Sequence, residues 1–311
     1  MDSNFSMYTF LTFESLDILP FTIVPAFIFG TLTYCAILVF NMTVLLTIAL
    51  NRKLHKPMYV LLFNLPLNDM VGASSFFPQL VILSQNTSIT YSACFVQALL
   101  AHVYAAGSLL VLSAMAYDRY IAICCPLKYN TLMSPNNLRN IIIIIWTIDF
   151  TAIGSLLALT YRKEICSTKI VDIHCNNPSL IKLVCGDTKL NDYYGLFTIV
   201  FFSGLSLLIV AFTYIQILIT VVIKRQSDAK SKAIQTCGTH LIVFLCLQLC
   251  GLFALIAHRF EAAPPNLRKA FDSSALIFPP VINPLIYGLK TKEIRQNLFF
   301  TIRKSSIQNK Q

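Results

Sequence analysis

Few residues of this chain can do more than pack, and those few sit where their surroundings offer little polar company. Asp69 and Asp149 each lie inside a long apolar stretch, and Asp118 and Arg119 close another. An acid held away from water is costly unless it pairs or serves a function, which makes Asp69 a functional candidate by default. Arg119 is costly unpaired for the same reason, and its neighbour Asp118 can neutralise it. The plainer reading of Arg119 is a side chain reaching the polar boundary from a helix end. Asp149 faces either a partner helix or an internal pocket, and the sequence does not choose. There is no nucleophile–base spacing, phosphate loop or metal motif, so nothing points to catalysis.

The groups are embedded in a chain of 311 residues that is 56% hydrophobic and 12% charged. That is about half the roughly 25% charge of a soluble domain, too little to wet a globule of this size. A soluble enzyme, a disordered chain and a coiled coil are excluded, and the mean hydropathy of +0.67 points to lipid as solvent.

Seven stretches reach the roughly 20 apolar residues that cross a bilayer. They run over about 19–50, 58–83, 94–117, 141–161, 193–223, 233–257 and 271–289, between an arm (1–18) and a tail (290–311). Barrel strands are about 10 residues long and alternate in polarity, which these do not. From Lys292 to Ile302 charges alternate with Leu298, Phe299, Phe300 and Ile302, the pattern of an amphipathic helix lying on membrane lipid. The expected fold is an all-α membrane protein, a seven-helix bundle. The arm has neither Lys nor Arg nor a long apolar core, so no cleavable signal peptide is expected.

An N-terminus outside places 16 Lys and Arg on the inner side against 8 on the outer, five of these in the single loop 162–189. The positive-inside rule therefore selects N-outside, C-inside. It also absorbs much of the +10 net charge, leaving no case for nucleic acid. The sequons at Asn4 and Asn86 fall on the same outer side and are expected to be glycosylated. Of ten cysteines, Cys94, Cys166, Cys175 and Cys185 face outward, an even number with three possible pairings. Zinc is disfavoured, since the spacing is not CxxC and His174 is the one imidazole nearby.

Met115-Ala116-Tyr117-Asp118-Arg119-Tyr120, continuing to Cys124-Cys125-Pro126-Leu127-Lys128-Tyr129, resembles the signature of vertebrate odorant receptors, rhodopsin-like G-protein-coupled receptors. Further matches follow in order: Asn41, Leu54-His55-Lys56-Pro57-Met58-Tyr59, Asn68-Asp69, Cys94, Trp146 and Thr213-Tyr214. Lys232-Ala233-Ile234-Gln235-Thr236-Cys237-Gly238-Thr239-His240 and Asn283-Pro284-Leu285-Ile286-Tyr287 complete a resemblance covering about 4–303. Departures are Phe40 before Asn41, Pro66, Asp149, Ser108 where many members carry an acid, and Gln248 where Tyr is usual.

The resemblance implies bridges Cys94–Cys175 and Cys166–Cys185. It implies that Asp118 holds Arg119 while the receptor is off, and that Arg119 then meets a stimulatory, olfactory-type G protein. Tyr120 belongs to the same motif, Tyr214 and Tyr287 are expected to turn inward, and Lys232 and His240 lie on the segment that swings out. Asn41, Asp69, Ser108 and Asn283 form a polar cluster holding water or sodium, or a purely structural network; Pro279, Pro280 and Pro284 would free carbonyls for it. A small odorant is expected among His102, Ala105, Ala106, Thr198, Phe202, Gln248, Gly251, Leu255 and Ser273. His102 with Arg259 would suit a carboxylic acid, as in the class I, fish-like branch. Ser305 and Ser306 could serve an arrestin, and the expected location is the plasma membrane of olfactory sensory cilia. The rivals are a seven-span transporter, for which the chain lacks internal repeats, and a receptor for a lipid or peptide, for which a Trp would be expected near Leu247-Gln248.

Overall fold

The computed structural model describes residues 10–13, 20–82, 88–161, 163–223, 238, 240–254, 265–290 and 293–297. Asn4, Asn86, Lys232, Leu255, Arg259, Ser305 and Ser306 lie outside these residues. The helices are α1 Pro20–Leu50, α2 Pro57–Ile82, α3 Tyr91–Cys124, α4 Tyr129–Leu132, α5 Pro135–Tyr161, α6 Asn177–Leu183, α7 Lys189–Ile223, α8 His240–Ala254 and α9 Pro265–Lys290. Among the described residues, five contain stretches long and apolar enough to cross a membrane: Phe27–Leu50, Pro57–Gln79, Tyr91–Cys124, Pro135–Tyr161 and Lys189–Ile223. With α8 and α9 they make the bundle. α3, α5 and α7 run several residues beyond the apolar stretches that announce them, because helical hydrogen bonding continues where chain meets headgroups.

α3 is the centre. It packs on α2, α5 and α7, while α9 packs on α1 and α2. Thr90 caps its start, Oγ1 accepting from the Ala93 amide at 3.4 Å. α7 shows how one face is selected: Gly195, Thr198, Phe202, Ser206, Val210, Thr213, Ile217 and Val221 are buried at spacings of three and four, while Leu208 is 71% exposed, as suits a lipid-facing side. Gly72 is required at its position, since a Cβ there would collide with the Tyr104 ring of α3.

Three short strands cover one end of the bundle. β1 (Phe10–Phe13) lies between β2 (Ser88–Thr90), antiparallel with Leu11 opposite Ile89, and β3 (Lys169–Ile170), parallel with Thr12 opposite Lys169. The all-helical expectation missed this sheet, whose strands are too short to show periodicity. Cys94–Cys175 and Cys166–Cys185 are bonded at the same end, so of the three pairings the structure holds the one the resemblance implies. Gln97 locks the loop further: its Oε1 accepts from the Cys175 amide at 2.9 Å and its Nε2 donates to Ser75 O at 2.7 Å.

Candidate functional site

Inside the disulfide end lies a cavity of about 560 Å³. Its wall is largely apolar, from Ala101, Leu109, Ile153, Leu156, Phe202, Leu247 and Leu276 among others. His102, Ala105 and Ala106 of α3, Thr198 and Phe202 of α7, and Gly251 of α8 line it. Gln248 and Ser273 do not. α8 presents Leu247, Gly251 and Ala254, and Gln248 is turned about 100° from Leu247 by helical geometry. On α9 the lining residues are Asp272, Ala275 and Leu276, while Ser273 turns its hydroxyl to Lys269 O at 2.6 Å.

Sequence reasoning missed most of the polar wall. His174, Asn176, Asn177 and Lys182 come from the loop and α6, Asp192 from α7 and Asp272 from α9. The signal was the Asn176-Asn177-Pro178 run: Asn176 caps α6, accepting from the Ser179 amide at 2.8 Å, with proline in the first turn. His102 donates Nδ1–H to Ala98 O at 2.8 Å, which sets its tautomer.

The residues expected in one polar cluster are divided in their bonds. Asn283 donates Nδ2 to both Asp69 oxygens, at 3.0 and 2.9 Å, and both residues are buried. Asn41 instead donates to Pro280 O at 2.9 Å. Ser108 is engaged by Asn68, whose Nδ2 reaches it at 2.9 Å, so Ser108 belongs to a neighbouring bond. Oδ1 of Asn41 and Oδ1 of Asn283 are buried with no hydrogen-bond partner among the described residues.

The prolines explain the Asn41 contact. Proline has no N–H, so Pro284 leaves Pro280 O, four residues back, without its helical donor, and Pro279 does the same to Ala275 O. Asn41 supplies the first and Tyr104, its hydroxyl 3.4 Å from Ala275 O, the second.

At the opposite end Asp118 is fully buried and Arg119 is bound to its Oδ2, Nη2 at 2.7 Å and Nε at 3.1 Å. Tyr129 of α4 donates to the other oxygen, Oδ1, at 2.9 Å. Burial, then the Asp118 charge, pushes the Tyr129 hydroxyl up from its ordinary range, so it is a donor at physiological pH. His240 Nδ1 and the Tyr287 hydroxyl are 3.1 Å apart and buried, tying α8 to α9. Tyr120 stacks obliquely on Phe212, ring centres 5.8 Å apart, and Tyr214 packs beside Ile217 and Val221. Leu127, in the turn between Arg119 and Tyr129, is 99% exposed.

Asp149 faces α3. A Cβ on Gly107 would meet its Oδ2 at 2.9 Å and the Trp146 ring at 3.0 Å. Both Asp149 oxygens are buried without a hydrogen-bond partner among the described residues, and Asp149 is not part of the cavity wall.

The sequence profile of the olfactory receptor family matches residues 30–304. Among similar proteins from Homo sapiens, olfactory receptor 52J3 is 32% identical over 275 residues, 87% of this chain and 88% of its own. Olfactory receptor 52P1 is 34% identical over 272 residues (85% and 83%), and olfactory receptor 51I1 is 31% identical over 276 residues (88% of each). A receptor-like bundle with an internal cavity at one end and a closed Asp118–Arg119 pair at the other is thus matched along nearly its whole length, and the chain belongs to the olfactory receptor family.

Proposed function

We propose that a small odorant occupies the cavity from the extracellular side, taken as the disulfide end, and shifts α8, so that a stimulatory, olfactory-type G protein engages the Arg119 end. One observation carries this. α8 contributes Leu247, Gly251 and Ala254 to the cavity and holds Tyr287 through His240 seven residues earlier, about 10 Å along the same helix. A ligand that moves α8 therefore acts on a contact at the other end. The work required is the differential affinity of the ligand for the two arrangements. Leu127 and Arg119 form the docking face for the G protein, and the receptor works in the plasma membrane of olfactory cilia. A sodium ion held by Asp69 with the side-chain oxygens of Asn41 and Asn283 would stabilise the closed arrangement, and arrestin would act on the tail serines.

The test is cAMP in cells carrying this chain and an olfactory G protein, against a panel of small alcohols, amines and acids. A saturable rise to any member supports the reading. Silence across the panel with surface expression measured counts against it. A carboxylic acid held between His102 and Arg259 is the second reading, favoured by the position of His102 on the wall. An acid response that survives Arg259→Ala would sink it.

A further inference from the structure

At the Asp118 end a second cavity, of about 450 Å³, lies between the starts of α2 and α5. Its wall is mostly apolar, from Val60 of α2, Met133 just after α4, and Leu138, Ile142 and Ile143 of α5. Ile143 is 54% exposed, and Phe150, on the same face of α5 two turns further on, is 53% exposed. The apolar surface therefore continues about 10 Å along α5 beyond the groove. Such a surface suits an acyl chain.

The edge of the groove carries the opposite chemistry. Arg139 lines it and is exposed. The two segments that meet there, 51–57 and 125–140, hold Arg52, Lys53, Lys56, Lys128 and Arg139 and no Asp or Glu. Among the described residues none of these five cations makes an ion pair. His55, also on the wall, has its Nε2 3.2 Å from both Ile48 O and Ala49 O, so that nitrogen closes the end of α1. Arg139 is thus the cation the groove offers a ligand, and its planar fork matches the oxygens of a phosphate. The positive-inside rule accounts for the charge of these segments but not for an apolar groove beside it.

We propose that this groove binds one anionic phospholipid of the inner leaflet, its phosphate on Arg139 and an acyl chain along Val60, Ile142 and Ile143. The site requires the Asp118 end to face the cytoplasm, the side that the charge distribution selects. A sterol brings no anion for Arg139, and a zwitterionic lipid brings a cationic head group toward like charges. The chain also lies against Met133, which is 3% exposed and whose amide donates to Tyr129 O at 2.8 Å. A bound lipid therefore steadies the turn from which Tyr129 reaches Asp118.

The experiment is native mass spectrometry of the receptor purified in mild detergent, given equal amounts of phosphatidylserine, phosphatidylcholine and cholesterol. One phosphatidylserine is expected to be retained, at least about five-fold over phosphatidylcholine, the factor that one basic residue supplies toward an anionic lipid. Arg139→Gln should lower that retention by about five-fold and Arg139→Lys should keep most of it, with melting curves confirming that each is folded. Lys53→Gln, outside the groove wall, should leave retention nearly unchanged. Equal retention of the two phospholipids, or a sterol retained ahead of both, overturns the proposal. So does a loss in Arg139→Gln no larger than in Lys53→Gln, which would mark diffuse attraction to the basic face. Where Arg139→Gln is not recovered folded, the wild-type selectivity decides by itself.

Discussion

Asn41 on α1 donates its side-chain amide to the carbonyl of Pro280 on α9, the group that Pro284 deprives of a helical partner. Asn41→Ala should lower stability by about 1–3 kcal/mol, the cost of an unsatisfied buried acceptor. The check is thermal unfolding of detergent-solubilised receptor. Pro284→Ala restores the missing N–H, so Asn41→Ala should cost distinctly less in that background. Additive losses in the double mutant would show that the two residues act separately.

Tyr129 donates a hydrogen bond to Asp118 from outside the helix that carries it. Tyr129→Phe removes one hydrogen bond and leaves the Arg119 contact, so ligand-free cAMP should rise by roughly two- to ten-fold, as expected of losing about 0.5–1.5 kcal/mol from the closed arrangement. Because burial raises the hydroxyl's pKa, its neutral form is favoured, and its contribution is lost only as pH rises through that raised value. Basal signalling of the wild type should therefore show no step from this group between mildly acidic and mildly basic pH.

Gly107 is the position that lets α3 and α5 close over Asp149. Gly107→Ala should destabilise by about 1–3 kcal/mol through overpacking. Shortening the opposing side chain, as in Gly107→Ala with Asp149→Ala, should recover part of that loss. Melting temperatures of the two single variants and the double variant provide the measurement.

Leu127 exposes an apolar side chain in the turn that follows the helix carrying Arg119. Leu127→Ala should reduce the maximal cAMP response several-fold while leaving surface level and half-maximal odorant concentration nearly unchanged, as expected for loss of an interface anchor. A shifted half-maximal concentration with an unchanged maximum would place Leu127 outside the docking face.

The family and the helical bundle were legible because lipid imposes long apolar runs and because the motifs around Asp118, His240 and Asn283 lie at fixed places along them. The cavity was legible on α3, α7 and Gly251, where the lining positions recur every three or four residues. It failed by one residue at Gln248 and Ser273, since a turn of about 100° per residue separates wall from flank and no hydropathy difference marks it. Asn177 was out of reach for a different reason. Its position depends on two disulfides and on its bond to Asn191, itself held by Leu156 O, all of them long-range relations that a linear pattern does not encode. The facing of Asp149 likewise needed the helix–helix register.

The capped carbonyls of α9 also bear on how the receptor is made. Pro279, Pro280 and Pro284 would leave the last span, inserted by itself, with three backbone acceptors open to hydrocarbon, each costing several kcal/mol. Two of those acceptors are met by Asn41 and Tyr104, on helices synthesised long before it. Biosynthesis from the N-terminus therefore delivers the donors ahead of the segment that requires them. The seventh helix is in this sense a dependent of the first and third, and its retention in the bilayer reports on whether the earlier part of the chain has already assembled.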